Sequence, residues 1–205
     1  MEHALLTGLG LAAPAGLNAY LPLLILALAD RLSTAITLQR PYDLLSSTPA
    51  IAIIVFLLTI EIVVDKIPGL DHANDLLQTA IRPAAGAILA MAAATAVGAS
   101  GDAATLNPVL AMILGLITAG AVHAAKATTR PAVTVGTAGL GNPLVSIGED
   151  IAAAVAAVAA IFAPLVGLVF LGGFLVFLIW AARRLRRLRG TGWRMPDSTS
   201  TTLRR

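Results

Sequence analysis

The sequence contains no cysteine, few aromatic residues (4%) and few charged residues (12%). Without cysteine the chain can form neither a disulfide nor a thiolate metal site. Single-strand nucleic-acid binders stack bases on aromatic side chains, so we expect no nucleic-acid partner. Soluble domains average about 25% charged and about 45–50% apolar residues, whereas 58% of these 205 residues are hydrophobic. A chain of this length cannot bury that much apolar surface, so we predict an integral membrane protein whose main partner is the lipid bilayer.

The basic residues are concentrated at the C-terminal end. Eight of the 14 lysines and arginines lie within residues 183–205. The remaining body has 6 basic and 10 acidic residues, which gives a net charge of 6 − 10 = −4. We therefore divide the chain into a transmembrane helical domain, 1–182, and a basic, disordered cytoplasmic tail, 183–205. The tail is expected to contact anionic lipids.

Apolar stretches define the predicted spans. A helix needs about 20 residues to cross a bilayer core of about 30 Å. The last stretch is too long for one crossing, and Pro164 with Gly167 supplies a break, although one long kinked helix over 149–182 is the rival interpretation. We predict about six spans within the following segments: 4–29, 49–64, 83–101, 103–125, 149–163 and 165–182. Alanine and glycine dominate the third and fifth spans, which we place at the bundle centre, whereas the bulkier second and sixth are peripheral.

Lysine and arginine in the short connections indicate the orientation. With the tail inside, six spans place the basic segments 65–82 and 126–148 inside and the segment 99–105, which has no basic residue, outside. The prediction is a multi-pass protein of the cell's inner membrane with both termini in the cytoplasm. A homo-oligomer is compatible with this arrangement.

Two segments between the spans have structure of their own. Pro68 and Gly69 end the second span, and an apolar stripe then predicts a short interfacial helix over about 71–82. The segment 126–148 contains Pro131, four glycines and Asn142 and is long for a loop. We expect it to fold back as an irregular, re-entrant element. The predicted fold is thus an all-α, polytopic bundle with these two additions.

The first span is rich in residues that disturb a helix, including Pro14, Gly16, Asn18 and Pro22. Two interpretations remain open. The segment is either a kinked helix that packs closely through its glycines, or a broken helix that lines a cavity with Asn18 as a polar contact.

Acidic and polar residues cluster near the predicted inner surface. Glu61 and Asp65 are four residues apart and share one helix face; an ionised group as deep as Glu61 usually has a partner, for which Lys66 or Lys126 is a candidate. Helix capping or solvation is an alternative explanation for several of the other acidic and polar residues in this cluster. The candidate substrate or ion path comprises Asn18, Glu61, Asp65, Asp71, His72, Asn74, Asp75, Asn142, Glu149 and Asp150. No named metal motif occurs, so whether these groups hold a metal is unknown, and we expect no cofactor.

Basic residues on the same side form a second candidate set: Lys66, Arg82, Lys126 and Arg130. They can bind anionic lipid headgroups or a phosphate-bearing substrate. Equally, they can act as topology determinants alone.

Three segments resemble a known family of small bacterial membrane proteins, the domain of unknown function 4126. They are GLNAYLPLL (16–24), DKIPGLDHANDLLQTAIRPAAGA (65–87) and TAGLGNPLVSIGED (137–150). The resemblance covers nearly all of the chain except the tail. It implies a multi-pass membrane protein and supplies no activity.

Our leading functional hypothesis is a small transporter or channel-like permease with an acidic inner vestibule for a cation or small solute. A second is a lipid-handling protein or membrane enzyme that binds a phosphate headgroup, with His72 or His123 as acid/base. A third is a non-catalytic scaffold subunit that uses the basic tail. No catalytic motif is present, which disfavours an enzyme.

Overall fold

The computed structural model describes residues 2–65, 70–98 and 107–190. Over these residues the chain is almost entirely helical, as predicted. The elements, in chain order, are α1 (Glu2–Ala15), α2 (Tyr20–Leu32), β1 (Ile36–Thr37), a 3-10 helix (Tyr42–Ser46), α3 (Thr48–Val64), α4 (Leu70–Thr95), β2 (Val97–Gly98), α5 (Pro108–Thr137), α6 (Asn142–Phe162) and α7 (Pro164–Gly190).

The first apolar stretch does not cross the bundle; it forms a helical hairpin. Gly8 of α1 lies against Ala90 and Ala93 of α4, and Gly16 lies against Ala119 and Val122 of α5. After the turn at residues 16–19, α2 runs back, and Ile36 just beyond it pairs with Gly98, just after α4. Each arm has 14 or 13 residues, or about 20 Å, which is less than a bilayer core of about 30 Å. Both ends of the hairpin therefore lie at the same end of the helix bundle, beside the end of α4.

The longer helices then alternate in direction. Among the described residues, three helices are long and apolar enough to cross a membrane by length and composition: Leu76–Thr95 within α4, α5 and α6. Shorter apolar helices are Ala4–Ala15 and α3. The structure supports a helical membrane protein, but six crossing helices are not reproduced, because the first stretch turns back.

Small residues bring the central helices together. A Cβ on Gly115 would meet the carbonyl oxygen of Gly86 and the side chain of Ala90, so α4 and α5 approach closely here. Alanines of α6 are fully buried, among them Ala153, Ala156 and Ala160. In contrast, α3 leaves apolar side chains exposed, such as Phe56 (64%). The Ala-rich helices are central and α3 is peripheral, as their composition predicted.

Two predicted elements are wrong. Residues 71–82 are not a separate interfacial helix, because α4 continues from them through Pro83 to Thr95; proline removes only one backbone hydrogen bond there. The segment 126–148 is not irregular, because α5 continues through Pro131 to Thr137 and α6 begins at Asn142.

Two residues in the left-handed region reverse the chain between α5 and α6. Ala138 has φ +53° and Gly139 has φ +84°, and the Gly139 N–H donates to the Thr134 carbonyl at 2.9 Å. Glycine adopts this conformation without steric cost. The break before Pro164, in contrast, lies where the sequence predicts it: α6 ends at Phe162 and α7 begins at Pro164.

Helix α7 extends past residue 182 to Gly190, so the first eight residues of the predicted tail are helical. The rest of the tail, the segment 99–105 and Lys66 lie outside the described residues.

At the hairpin's open end, the Asp30 carboxylate accepts hydrogen bonds from the Leu38 N–H, at 2.8 Å, and from the Ser46 hydroxyl. These bonds fix the connection between α2 and α3.

Candidate functional site

Six charged side chains from four helices meet inside the bundle. We refer to them as the charge network, and its members are Glu61, Asp65, Arg82, Lys126, Arg130 and Glu149. All are buried, with exposed fractions of 6% or less. Three are cations and three are carboxylates, so the formal net charge is 3 − 3 = 0. Apolar helices bring these groups together out of water, where each needs an opposite partner.

The first half of the network is centred on Arg82 of α4. Its Nη2 donates to Glu61 Oε1 at 3.1 Å, and its Nη1 lies 3.0 Å from His123 Nδ1. A guanidinium only donates, so Nδ1 must accept and the imidazole proton lies on Nε2. That nitrogen lies 3.1 Å from the Thr79 hydroxyl, to which it donates. Arg82 therefore holds His123 in its neutral form.

The second half is centred on Lys126 and Arg130 of α5. The Lys126 ammonium lies 3.2 Å from Asp65 Oδ2 and 3.0 Å from Glu149 Oε2. Arg130 Nη2 contacts the same two oxygens, at 2.7 Å and 3.4 Å. Asp65 Oδ2 also accepts the Ser146 hydroxyl at 3.1 Å. Two cations thus share two carboxylates across α3, α5 and α6.

The turn of the α1–α2 hairpin contacts both halves of the network. The Leu17 carbonyl accepts from Lys126 Nζ at 2.9 Å, and the Ala19 N–H donates weakly to Glu61 Oε1, at 3.4 Å. The carboxyl end of one helix thus faces a cation, and the amino end of the next faces an anion, which the helix dipoles favour. Gly16 permits this approach, because a Cβ there would meet the Ala119 carbonyl and the Val122 side chain.

Asn18 orders the same turn. Its Oδ1 accepts the Tyr20 and Leu21 N–H groups, at 3.1 and 3.0 Å, and caps α2. Its Nδ2 donates to Asp150 Oδ1 at 3.0 Å. The structure therefore has the broken form of the first apolar stretch, with Asn18 buried at the break.

Two buried carboxylates keep an oxygen with no hydrogen-bond partner among the described residues: Glu61 Oε2 and Glu149 Oε1. The buried amide oxygen of Gln78, one helical turn before Arg82, also has no hydrogen-bond partner among the described residues. Leaving a buried acceptor unsatisfied costs about 1–3 kcal/mol. These unsatisfied oxygens can accept a proton or a hydrogen bond from another donor.

The buried acidic and basic candidates of the charge network belonged to two separate sets in the sequence-based prediction. Glu61 pairs with Arg82, a partner that the sequence did not suggest. Of the two partners considered from the sequence, Lys126 contacts Asp65 and Glu149 instead, and Lys66 lies outside the described residues. Asn142 instead bonds Thr134 at 3.0 Å, one helical turn beyond Arg130. Glu149 and Asp150 do not begin a helix, because α6 starts seven residues earlier. The side chains of the other four path candidates lie outside the described residues: Asp71, His72, Asn74 and Asp75.

Sequence reasoning missed Gln78, Thr79 and Ser146, which are polar residues on otherwise apolar helix faces. The i,i+3 spacing of Thr79 and Arg82 and of Ser146 and Glu149 was the available signal, since residues so spaced share a helix face. Within the described residues, no group of three His, Asp or Glu side chains could hold a metal ion.

The apolar helices, the re-entrant hairpin and the buried charges together define a helical membrane protein. More particularly, the chain belongs to the family "Domain of unknown function (DUF4126)", whose model matches residues 5–184. This match confirms the resemblance seen in the sequence. No curated protein and no solved structure matches the chain.

Proposed function

We propose that this protein is a small membrane transporter whose translocation centre is the charge network at the turn of the α1–α2 hairpin. One observation carries the proposal: the hairpin turn contributes a backbone carbonyl to Lys126 and a backbone N–H to Glu61. Non-helical backbone at membrane depth is tolerated where it is buried in protein or lines a water-filled path. Paired ionisable groups at such a break are typical of substrate and ion pathways.

The contacts in the charge network favour a site that differs from both the acidic vestibule and the headgroup site considered from the sequence. A free acidic vestibule for a cation requires unpaired carboxylates, whereas Glu61, Asp65 and Glu149 each contact a buried cation. A headgroup site at Lys126 and Arg130 likewise requires displacement of Asp65 and Glu149. A neutral network that exchanges partners during a cycle fits these contacts better than either fixed site, because no charge is left alone in a low-dielectric interior.

For the orientation, we propose the inner membrane with α7 ending in the cytoplasm, where its arginines satisfy the positive-inside rule. The hairpin begins and ends on the side opposite the α7 terminus. The N-terminus then lies outside, unlike the sequence-based prediction of two cytoplasmic termini, because α1 and α2 together do not cross.

The proposal is tested by osmotic recovery of proteoliposomes. Vesicles are shrunk in potassium chloride or nitrate with valinomycin, in the ammonium salts of the same anions, or in erythritol, and solute entry restores their volume. We expect wild-type protein to accelerate recovery in at least one solution. Glu61→Gln should slow it by about tenfold or more, because a charge-assisted hydrogen bond worth about 1.5–3 kcal/mol is lost.

The matched control is Asp43→Asn, which changes a carboxylate to an amide in the 3-10 helix, where Asp43 pairs with the exposed Arg40. This variant should recover at the wild-type rate. Recovery no faster than in protein-free vesicles across the whole panel would contradict a transport function.

A separate observation supports an anionic-lipid contact at the end of α7. The Arg184 guanidinium lies 5.2 Å from the centre of the Trp180 ring, and Arg183, Arg184 and Arg187 are exposed. Indole rings and arginines of this kind are enriched where helices reach the headgroups. Replacing the three arginines with glutamine should lower the retention of phosphatidylglycerol by about tenfold or more, as measured by native mass spectrometry. Arg31→Gln/Arg40→Gln, at the other side, is the control, and equal loss there would contradict this contact.

A further inference from the structure

Two buried side chains beside Arg82 carry an oxygen to which no described residue donates a hydrogen bond. One is Glu61, whose Oε1 contacts Arg82 Nη2 at 3.1 Å, whereas its Oε2 has no donor within the described part of the chain. The other is Gln78 of α4, to whose Oε1 no described side chain or backbone group donates. The two residues are 2% and 3% exposed, so bulk water does not reach these oxygens.

Both oxygens belong to the surroundings of one guanidinium. Gln78 precedes Arg82 by four residues on α4, and residues so spaced lie about 5–6 Å apart on one helix face. Glu61 reaches the same guanidinium from α3. One turn beyond Arg82 the bundle is closed, because a Cβ on Gly86 would meet the Ala119 side chain of α5. A ligand bound here must therefore be small and must lie on the Gln78 side of Arg82.

Packing alone does not account for a glutamine at position 78. The buried positions that follow Arg82 along the same side of α4 are apolar: Ala85, Leu89 and Ala93. A buried acceptor without a donor lowers stability relative to an apolar side chain of similar shape. A bound ligand that donates a hydrogen bond removes that cost.

We propose that Gln78 and Glu61 bind the substrate, and that the substrate is a small solute with two or more N–H or O–H donors. This inference rests on the transport function proposed above and names its substrate class. Hydrogen-bond polarity selects the class: a carbonyl oxygen and a carboxylate oxygen only accept, so the ligand must donate. Glu61 binds the ligand through Oε2, so its contact with Arg82 through Oε1 remains in place. Ammonium and small polyols share this donor chemistry.

The test is the thermal stability of the purified full-length protein in detergent, at neutral pH and without vesicles. Each donor solute is compared, at equal concentration, with a counterpart that has no N–H or O–H group: ammonium chloride with potassium chloride, and ethylene glycol with its dimethyl ether. For wild-type protein we expect the donor of at least one pair to raise the melting temperature by about 5 °C above its counterpart, the shift for a ligand at about 100 times its Kd. A response to ammonium identifies a cationic substrate, and a response to ethylene glycol identifies an uncharged one.

Substitutions at position 78 separate binding from packing. Gln78→Met removes the acceptor at similar volume, so without solute its melting temperature should stay within about 2 °C of wild type or rise, whereas its response to the donor solute should be lost. Gln78→Leu removes the same acceptor and serves where Gln78→Met does not fold. Gln78→Glu presents acceptors whichever way the side chain turns and should keep the response. The control is Gln39→Met, at an exposed glutamine outside the bundle, which should respond as wild type.

Equal melting temperatures within both pairs of solutes would mean that these oxygens hold water only, and would overturn the proposal. A Gln78→Met protein that responds as Gln39→Met does would overturn it as well. Because the assay detects binding alone, a negative result beside protein-dependent recovery in vesicles refutes the donor site but not transport. Donor binding without any vesicle flux has the opposite meaning: it supports the site and refutes the transporter.

Discussion

Replacing Lys126 with methionine should destabilise the protein strongly, because this ammonium connects three elements. It lies 1% exposed, with the Leu17 carbonyl, Asp65 and Glu149 within 3.2 Å. Methionine matches the lysine side chain up to its ε carbon and removes the charged nitrogen. The network then has two cations and three carboxylates, a net charge of −1. Arg130 then remains the described cation in contact with both Asp65 and Glu149, and the Leu17 carbonyl loses its donor.

Removing one partner of a buried ion pair costs about 3–5 kcal/mol. For a protein of about 200 residues, 1 kcal/mol shifts the melting temperature by about 2–4 °C. We therefore expect a decrease of about 6–20 °C, measured as the fraction that remains monodisperse by size-exclusion chromatography after heating in detergent. The control is Arg40→Met, which removes a cation whose side chain is 93% exposed; its shift should stay within about 2 °C.

A double-mutant cycle tests the physical reason. Glu149→Gln alone leaves the network at +1, whereas Lys126→Met/Glu149→Gln returns it to 0. The double variant should lose clearly less than the sum of the two single losses. Additive losses, or a Lys126→Met melting temperature within about 3 °C of wild type, would refute a charge-balanced network.

Two further variants probe the packing and the histidine. Gly115→Val should lower stability by about 1–3 kcal/mol, since its side chain would meet the Gly86 carbonyl at the α4–α5 crossing. The control Gly120→Ala should be nearly neutral, because its Cβ would meet only Pro83, at 3.7 Å. Equal thermal shifts of the two variants would contradict a close crossing. Thr79→Val should cost about 1–3 kcal/mol by leaving His123 Nε2–H without this acceptor, compared by melting temperature with Thr59→Val, whose hydroxyl only bonds the Val55 carbonyl in its own helix. A Thr79→Val shift no larger than that of Thr59→Val would remove the support for the Nε2–H tautomer.

The helical class, the central alanine-rich helices and the break at Pro164 follow from composition and local sequence. The first stretch shows the limit of such reasoning. An uncharged run over 4–29 is long enough to cross a bilayer, and Pro14, Gly16 and Asn18 indicate a disturbed helix. That the chain reverses there depends on contacts with Lys126 and Glu61, which lie far away in sequence.

The proline residues led to the opposite error, because helix ends were predicted where the helices continue. Pro83 and Pro131 suggested helix ends, yet α4 and α5 continue through them. Pro131 removes only the hydrogen bond to the carbonyl of Ala127, four residues earlier. Proline inside a membrane helix is tolerated when neighbouring groups satisfy the freed backbone.

Residue types in the candidate site were predictable, but their pairing was not. Carboxylates and cations in apolar surroundings stand out in any sequence. Asp65 and Arg130, however, are separated by 65 positions, and only the tertiary arrangement of the helices brings the end of α3 to Arg130 of α5. For this reason the sequence suggested separate acidic and basic sites, whereas the structure has one network.

The length of α5 and the turn between α5 and α6 determine how this protein fits bilayers of different thickness. Helix α5 has 30 residues, or about 45 Å, compared with a hydrocarbon core of about 30 Å. Its end carries the exposed Val135, and Leu140 and Leu144 follow at exposed fractions of 83% and 73%. A thicker bilayer covers these side chains, and a thinner one forces α5 to tilt. A tilt of α5 would move Lys126 and Arg130 relative to the hairpin turn, so we expect the charge network to respond to membrane composition.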